Sequence, residues 1–492
     1  MLVTVKRVEK SIIRKINNVQ LWSVYPSISE LVECWLPREN QRRKTCNELS
    51  DSSCWTKNRE TNPGQSNSLP FQKRDKVEKR FTREIHMLGG LIVFIAFLSL
   101  AQAGDLRNVS KPETPLSCKV LKADNSVNST RTIQNALDSC AKGRAVLLSI
   151  SEKYKAFYSG PLNLPSGVSL RVGKGAMLVA IANPSLFDTG GKTCGKLDYS
   201  GKGCHPFIQI KNASDSGIYG QGIIDGQGNS IMYGQNQTWW QLANKAKKSS
   251  MRQNAPRLIQ IDNSKNITLF QITLKNSPNF HVVGKNTDGL TLWGITIDTP
   301  ASARNTDGVD PMGSSNVTLS HSTISTGDDN VAIKAGDRGT SHISILDNHF
   351  GAGHGMSIGS EVNKGVSDVT VNGLIFDSTT NGLRIKSDRS RGGLVTGVTF
   401  NNICMQNVKN PISLDTHYNI DAAGQLIPEF RNILFSNIRV LTAGNFVFDG
   451  YSITKPLGIT LRNVHITEGS IWRAKNAIIR GNVAKDAAGT CE

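Results

Sequence analysis

Three aspartates, a histidine, an arginine and a lysine stand out because they recur at nearly equal intervals. Asp307 closes the triplet Asn305-Thr306-Asp307, Asp328 and Asp329 follow Gly327, His354 sits between Gly353 and Gly355, and Arg384 and Lys386 flank Ile385. The steps from Asp307 to Asp328, to His354 and to Arg384 are 21, 26 and 30 residues. Grouped carboxylates suit acid–base work. Like charges held together raise at least one pKa, so one cluster supplies a protonated donor and an ionised base at the same pH. Arg384 and Lys386, two apart, share one face of a strand with Ile385 turned the other way, and such a cationic pair suits a substrate that carries carboxylates.

These residues converge only if the chain brings successive segments into stacked positions. Short β-branched runs, each following a polar or glycine turn residue, begin at Ile267, Leu290, Val317, Ile343, Val369, Val398, Ile433 and Ile459. Their intervals are 23, 27, 26, 26, 29, 35 and 26 residues. Each run alternates apolar and polar residues and is too short for a helix. A repeat of this length predicts an all-β chain, a single-stranded right-handed parallel β-helix in which each coil buries its apolar face on the next. A sandwich or propeller of similar strands is the alternative, but propeller blades repeat at roughly 40 to 50 residues and carry their own signatures. Thr130 to Cys140 has apolar residues at helical spacing and is expected to form a short N-terminal helix capping the solenoid. Adjacent coils lie about 4.8 Å apart, so the polar clusters form one wall.

Cleavage of a glycosidic bond needs one carboxylic acid for the leaving oxygen and one carboxylate to activate water or attack the sugar. With the cationic pair beside them, an acidic polysaccharide such as a uronic-acid polymer is the expected substrate.

The motifs NTDG (305–308), TGDD (326–329), GHG (353–355) and RIK (384–386), in this order, resemble the signature of polygalacturonases, glycoside hydrolase family 28. The likeness runs from Ser117 to about Val464 and includes GIIDGQG (222–228) and NSPNFHV (276–282), with wording closer to bacterial than to plant enzymes. The resemblance implies that Asp328 is the general acid and that Asp307 and Asp329 hold and deprotonate the attacking water. It implies that His354 tunes the acid, that Arg384 and Lys386 grip a galacturonate carboxylate, and that Asn305 and Tyr418 contact substrate. Inversion is expected, with a gap of about 6.5 to 9.5 Å between acid and base. No cofactor or metal is expected. Any one of these aspartates alone would more often cap a tight turn; three on adjacent coils favour chemistry. Asp310, Lys334, Asp337 and Glu361 are read as structural or rim positions.

The expected activity is endo-hydrolysis of α-1,4-linked polygalacturonate. Its rivals are exo-action, a rhamnogalacturonan hydrolase, a pectate lyase needing calcium carboxylates and an arginine base, and a catalytically silent pectin-binding protein. The net charge of +18 and pI near 9.5 attract polyanions. No nucleic-acid module appears in the repeats, so nucleic acid is not expected as a partner. A monomer is expected.

Leu88 to Ala101 is a 14-residue apolar stretch followed by Ala-Gln-Ala (101–103), which reads as a secretory signal over 87–103 cleaved after Ala103. Residues 1–86, with 17 Lys and Arg against 10 Asp and Glu, read as an extension upstream of the true start at Met87. The catalytic domain is expected over 104–492, secreted and extracellular, without stable membrane association once the signal is removed. Six cysteines follow Ala103. Cys118 with Cys140 and Cys194 with Cys204 are the expected local pairs, while Cys404 and Cys491 are left paired or free. Sequons at Asn108, Asn128, Asn212, Asn236, Asn266 and Asn316 permit glycosylation.

Overall fold

The computed structural model describes residues 104–491. The expected extension, the leader and Cys34, Cys46 and Cys54 lie outside the described residues. The chain winds as a right-handed parallel β-helix, as its repeat predicts. Two sheets, of 20 and of 11 strands, run from coil to coil, and among the described residues their strands pair in parallel.

The eight anchor residues fall into one column. Ile267 pairs with Leu290, then Val317, Ile343, Val369, Val398, Ile433 and Ile459 in unbroken register. All eight are buried. In seven of the eight coils the preceding residue has left-handed backbone: Asn266, Gly289, Asn316, His342, Asp368, Gly397 and Asn432. This explains the polar or glycine residue before each run, since Asn, Asp and Gly tolerate that conformation best.

A second file of left-handed residues, including His321, Asp347, Asn402 and Asn437, bends this sheet two residues after each coil's next inward residue. Side-chain amides stack along it, Asn463 donating to Asn437 at 2.7 Å.

The ends are closed as expected. The helix α1 (Thr130–Asp138) buries Ile133, Ala136 and Leu137 against the first coils. Cys118–Cys140 and Cys194–Cys204 are bonded, and Cys404 pairs with Cys491, closing the choice that the sequence leaves open. Among the described residues no helix is long and apolar enough to cross a membrane.

Five strands of the 11-stranded sheet carry the site: β1 (Val309–Met312), β2 (Val331–Ile333), β3 (Met356–Gly359), β4 (Asn381–Lys386) and β5 (Asn410–Asp415). Val309, Val331, Met356, Leu383 and Ile412 form their inward column. Alternation then turns Asp310, Ser357 and Arg384 outward, on the face where the groove lies.

Candidate active site

The turns that enter β1 and β2 hold Asp307 and the Asp328–Asp329 pair, the turn that enters β3 holds His354, and hydrogen bonds brace all three. Thr306 Oγ1 donates to Ala303 O (2.6 Å) and accepts from Gly327 N–H (2.9 Å), tying the Asp307 turn to the Asp328 turn. A Cβ on Gly327 would stand 1.9 Å from Ala303 O, so glycine is required there. Asn330 accepts from Gly355 N–H (2.8 Å) and donates to Ile324 O and Ala352 O, which fixes the loop bearing His354. His281, fully buried, donates from Nδ1 to Asp307 O (3.1 Å) and places Nε2 2.8 Å from Thr299 Oγ1. Burial pushes its imidazole down to about 4, so it is a neutral brace for the Asp307 turn.

Asp328 with His354, Asp329 with Arg384 and Lys386, and Lys386 with Tyr418 are in contact. Asp329 is clamped: Arg384 Nη2 donates to Oδ1 (2.6 Å), Lys386 Nζ to Oδ2 (2.7 Å) and Ser357 Oγ to Oδ1 (2.9 Å). Asp328 faces the other way. Its Oδ1 lies 3.0 Å from His354 Nδ1, and its carbonyl accepts from the His354 backbone. The side chain of Asp328 is 23 % exposed, against 6 % for Asp307 and 2 % for Asp329. Tyr418, half-exposed, places its ring 5.2 Å from Lys386 Nζ, so the spacing match for this tyrosine holds geometrically. Asn305 has left-handed backbone (φ 57°), and no hydrogen bond engages its side chain among the described residues.

Two residues read as structural or rim positions belong to the site instead. Lys334 Nζ bridges Asp307 Oδ2 (3.1 Å) and Asp310 Oδ2 (2.6 Å), with Lys334 8 % and Asp310 0 % exposed. The Phe280 ring lies 4.5 Å from the same ammonium. One coil here is 22 residues, Val309 to Val331 and Met312 to Lys334, so Lys334 stacks on Met312 and its contact with Asp307 is not marked by the spacing. Asp337 and Glu361 are rim residues as expected, paired with Lys285 (3.1 Å) and Arg391 (3.3 Å).

Charge is distributed unevenly across this wall. Burial first, then Asp310, Asp328 and Asp329, push Asp307 well above the carboxylate range against the pull of Lys334. Burial likewise raises Asp310 to about 6. Burial also acts upward on Asp328, but the His354 hydrogen bond and charge, with Lys386 and Lys334 behind, outweigh it and bring that carboxyl down to about 2.

Asp328, Asp329 and His354 bring possible metal-ligand atoms within 4.8 Å of one another, as do Asp415, His417 and Asp449. In the first group both Asp329 oxygens already accept from Arg384, Lys386 and Ser357, so a metal there would have to displace two cations.

Comparison with known proteins shows the family. The family described as glycosyl hydrolases family 28 matches residues 155–488. An endo-polygalacturonase of Pectobacterium carotovorum subsp. carotovorum is 51 % identical over 386 residues, 78 % of this chain and 95 % of that protein. A polygalacturonase of Ralstonia solanacearum is 40 % identical over 414 residues, 74 % of this chain and 78 % of its own. The solved polygalacturonase from Erwinia carotovora ssp. carotovora superposes with TM-score 0.75 at 50 % identity, covering 77 % of this chain and all of its own. Plant relatives match less of the chain, such as a Juniperus ashei polygalacturonase at 38 % over 48 % of it, consistent with the bacterial wording of the motifs. With a matching profile over two thirds of its length and half of the aligned residues shared with the Pectobacterium and Erwinia proteins, the chain belongs to glycoside hydrolase family 28.

Proposed function

We infer that this protein is a secreted, endo-acting hydrolase of the α-1,4-galacturonosidic bonds of polygalacturonate that inverts the anomeric configuration. One observation carries the reading: Asp328 and Asp329, adjacent in sequence, sit in opposite settings, one open to the groove beside His354 and the other clamped by Arg384 and Lys386. The endo-polygalacturonase relative at 51 % identity supports endo over exo action.

Asp328, the most exposed of the three, is the proton donor. In the empty groove it is an anion, because His354 holds its carboxyl at about 2. A bound uronate displaces water and lays its own carboxylate nearby, and both effects raise the aspartate's pKa. The acid is therefore completed by substrate. Asp307 and Asp329 hold the water, Asp329 beneath the two cations that clamp it, and Asp307 accepts its proton. Lys386 carries three donors, only one of which meets Asp329, so it and Arg384 can also bind the sugar carboxylate. Tyr418 flanks that site, and the unengaged amide of Asn305 offers a substrate contact. None of these steps calls for a metal.

The three disulfides support export to an oxidising compartment. Cleavage after Ala103, a start at Met87 and a monomeric state complete the proposal.

Incubating the purified protein with polygalacturonic acid, beside Asp328→Asn, tests it. New reducing ends without unsaturated product, lost in the variant, are expected, with mixed oligomers rather than monomer alone. Unsaturated product would replace hydrolysis by a lyase, and no cleavage would move the reading to another pectic backbone or to pectin binding.

A further inference from the structure

Lys334 and Asp310, buried beside Asp307, are unused by the reading above. Lys334 carries three N–H donors. One meets Asp307 Oδ2 and one Asp310 Oδ2, while the face of Phe280 lies against the ammonium. Asp310 has no exposure, and its second oxygen, Oδ1, is buried without a hydrogen-bond partner. An ionised carboxylate with one orphaned oxygen in such a place is costly. A scaffold needing only packing there would put an apolar side chain.

Register explains how the three meet. Val309 pairs with Val331 and Met312 with Lys334, so Asp310 and Met312 face outward together and Lys334, beside Met312, reaches diagonally to Asp310. Asp307, two residues before β1, enters from the turn. The other charges acting on this group are Asp328 and Asp329 from the next turn, Glu361 beyond β3, and Arg257, whose guanidinium lies 5.3 Å from the centre of the Phe280 ring.

We propose that Lys334 and Asp310 are positioning residues that set the protonation of Asp307: the lysine divides one positive charge between two carboxylates, and Asp310 decides how much of it Asp307 receives. When Asp310 carries a proton, Lys334 is wholly available to Asp307, whose anion is stabilised for taking a proton from water. When Asp310 ionises, the triangle holds a net negative charge in a buried site and the Asp307 anion is disfavoured. Burial disfavours the ammonium, but the two carboxylates outweigh it and keep Lys334 charged above the ordinary lysine value, so it does not titrate in the working range. Asp310, raised to about 6, does. This inference rests on Asp307 acting as a base.

The test is the pH profile of kcat/KM on polygalacturonate for the full chain and four variants. Lys334→Met removes the shared cation, so the acid limb should move up by about one unit or more and kcat should fall about 100-fold, with KM changed less than about threefold. Asp310→Asn keeps an acceptor for Lys334 and removes the competing charge, so the limb should move down. The double variant should return the limb toward the parent while leaving kcat low. Unchanged limbs in all three, with activity falling only as melting temperature falls, would overturn the proposal. If Lys334→Met does not fold, the limb of the near-isosteric Asp310→Asn decides alone, a downward shift supporting the proposal and none refuting it. Asp307→Asn separates the underlying reading. If it keeps the acid limb and most activity, Asp307 is not the base and the premise fails, whatever the other variants do.

Discussion

The two sheets of this solenoid use the same coil for opposite ends. On the 20-stranded sheet, each rung repeats the chemistry of the one below: the column from Ile267 to Ile459 is apolar and buried throughout. On the outward face of the 11-stranded sheet, residues in the same kind of register differ from rung to rung. Gly359, Lys386, Asp415, Asp449 and Lys475 are stacked neighbours. Where a charge does repeat, Asp449 on Asp415, burial and then that neighbour raise the Asp415 carboxyl, because like charges about 4.8 Å apart repel. One sheet stores stability and the other spends it on buried charge at fixed positions, which is why the two should respond differently to substitution.

The sharpest way to break this contrast is Asp328→Asn, which should lower kcat about 1,000-fold or more while melting within a few degrees of the parent. A melting temperature that collapsed with the activity would show that the groove, too, holds the fold together. On the opposite sheet, Phe435→Ala removes a fully buried ring stacked on Phe400 at 5.0 Å. It should cost about 3 to 5 kcal/mol in denaturant unfolding and leave the activity per folded molecule unchanged. Loss of activity without loss of stability there would couple the two sheets.

A smaller effect is expected at the edge of the groove. Tyr418→Ala should raise KM several-fold, by about 1 kcal/mol of lost ring contact and cation–π attraction, and kcat should hold. Acid stability gives the finest test. The carboxyl of Asp328 is lowered in the folded chain, so its contribution is present above the unfolded value near 3.8 and is lost as pH falls toward about 2. Removing that aspartate should flatten the fall of melting temperature between pH 4 and pH 2, and an unaltered curve would mean that His354 does not hold the carboxylate.

The scaffold was legible because each coil writes the same sentence. A left-handed Asn, Asp or Gly, then a β-branched inward residue, recurs wherever the sheet begins, and this alone aligned eight strands. The same rule accounts for two sequons: Asn266 and Asn316 are left-handed residues near the start of a strand at φ 52° and 55°, donating to Asp215 and Asp288, and the Thr two places on lies in the same strand. The triplet there is what the fold writes in any case. The candidate catalytic wall was legible because three of the four motifs stand in turns, where charge is conspicuous, and the fourth sets two cations on one face of β4.

Asp310 and Lys334 were not, because they lie in or against a strand with apolar neighbours on both sides. A single charge in such a run looks like solvated surface. Only the pairing across coils shows that Asp310 has no surface at all. The opposite charge settings of Asp328 and Asp329 were hidden for a related reason. Adjacent aspartates look equivalent in sequence, and the turn sends one to His354 and the other to Arg384 and Lys386.

The placement of the three disulfides governs how this molecule would come apart. A stack of coils in which each touches only its neighbours unzips from its ends, like a column of coins losing the outermost first. Cys118–Cys140 and Cys194–Cys204 rivet the opening turns, and Cys404–Cys491 laces the final 87 residues back onto an earlier rung. Among the described residues none spans the rungs from Asp307 to Lys386. Reduction should therefore loosen the two extremities first and leave the middle of the column, with its chemistry, to go last.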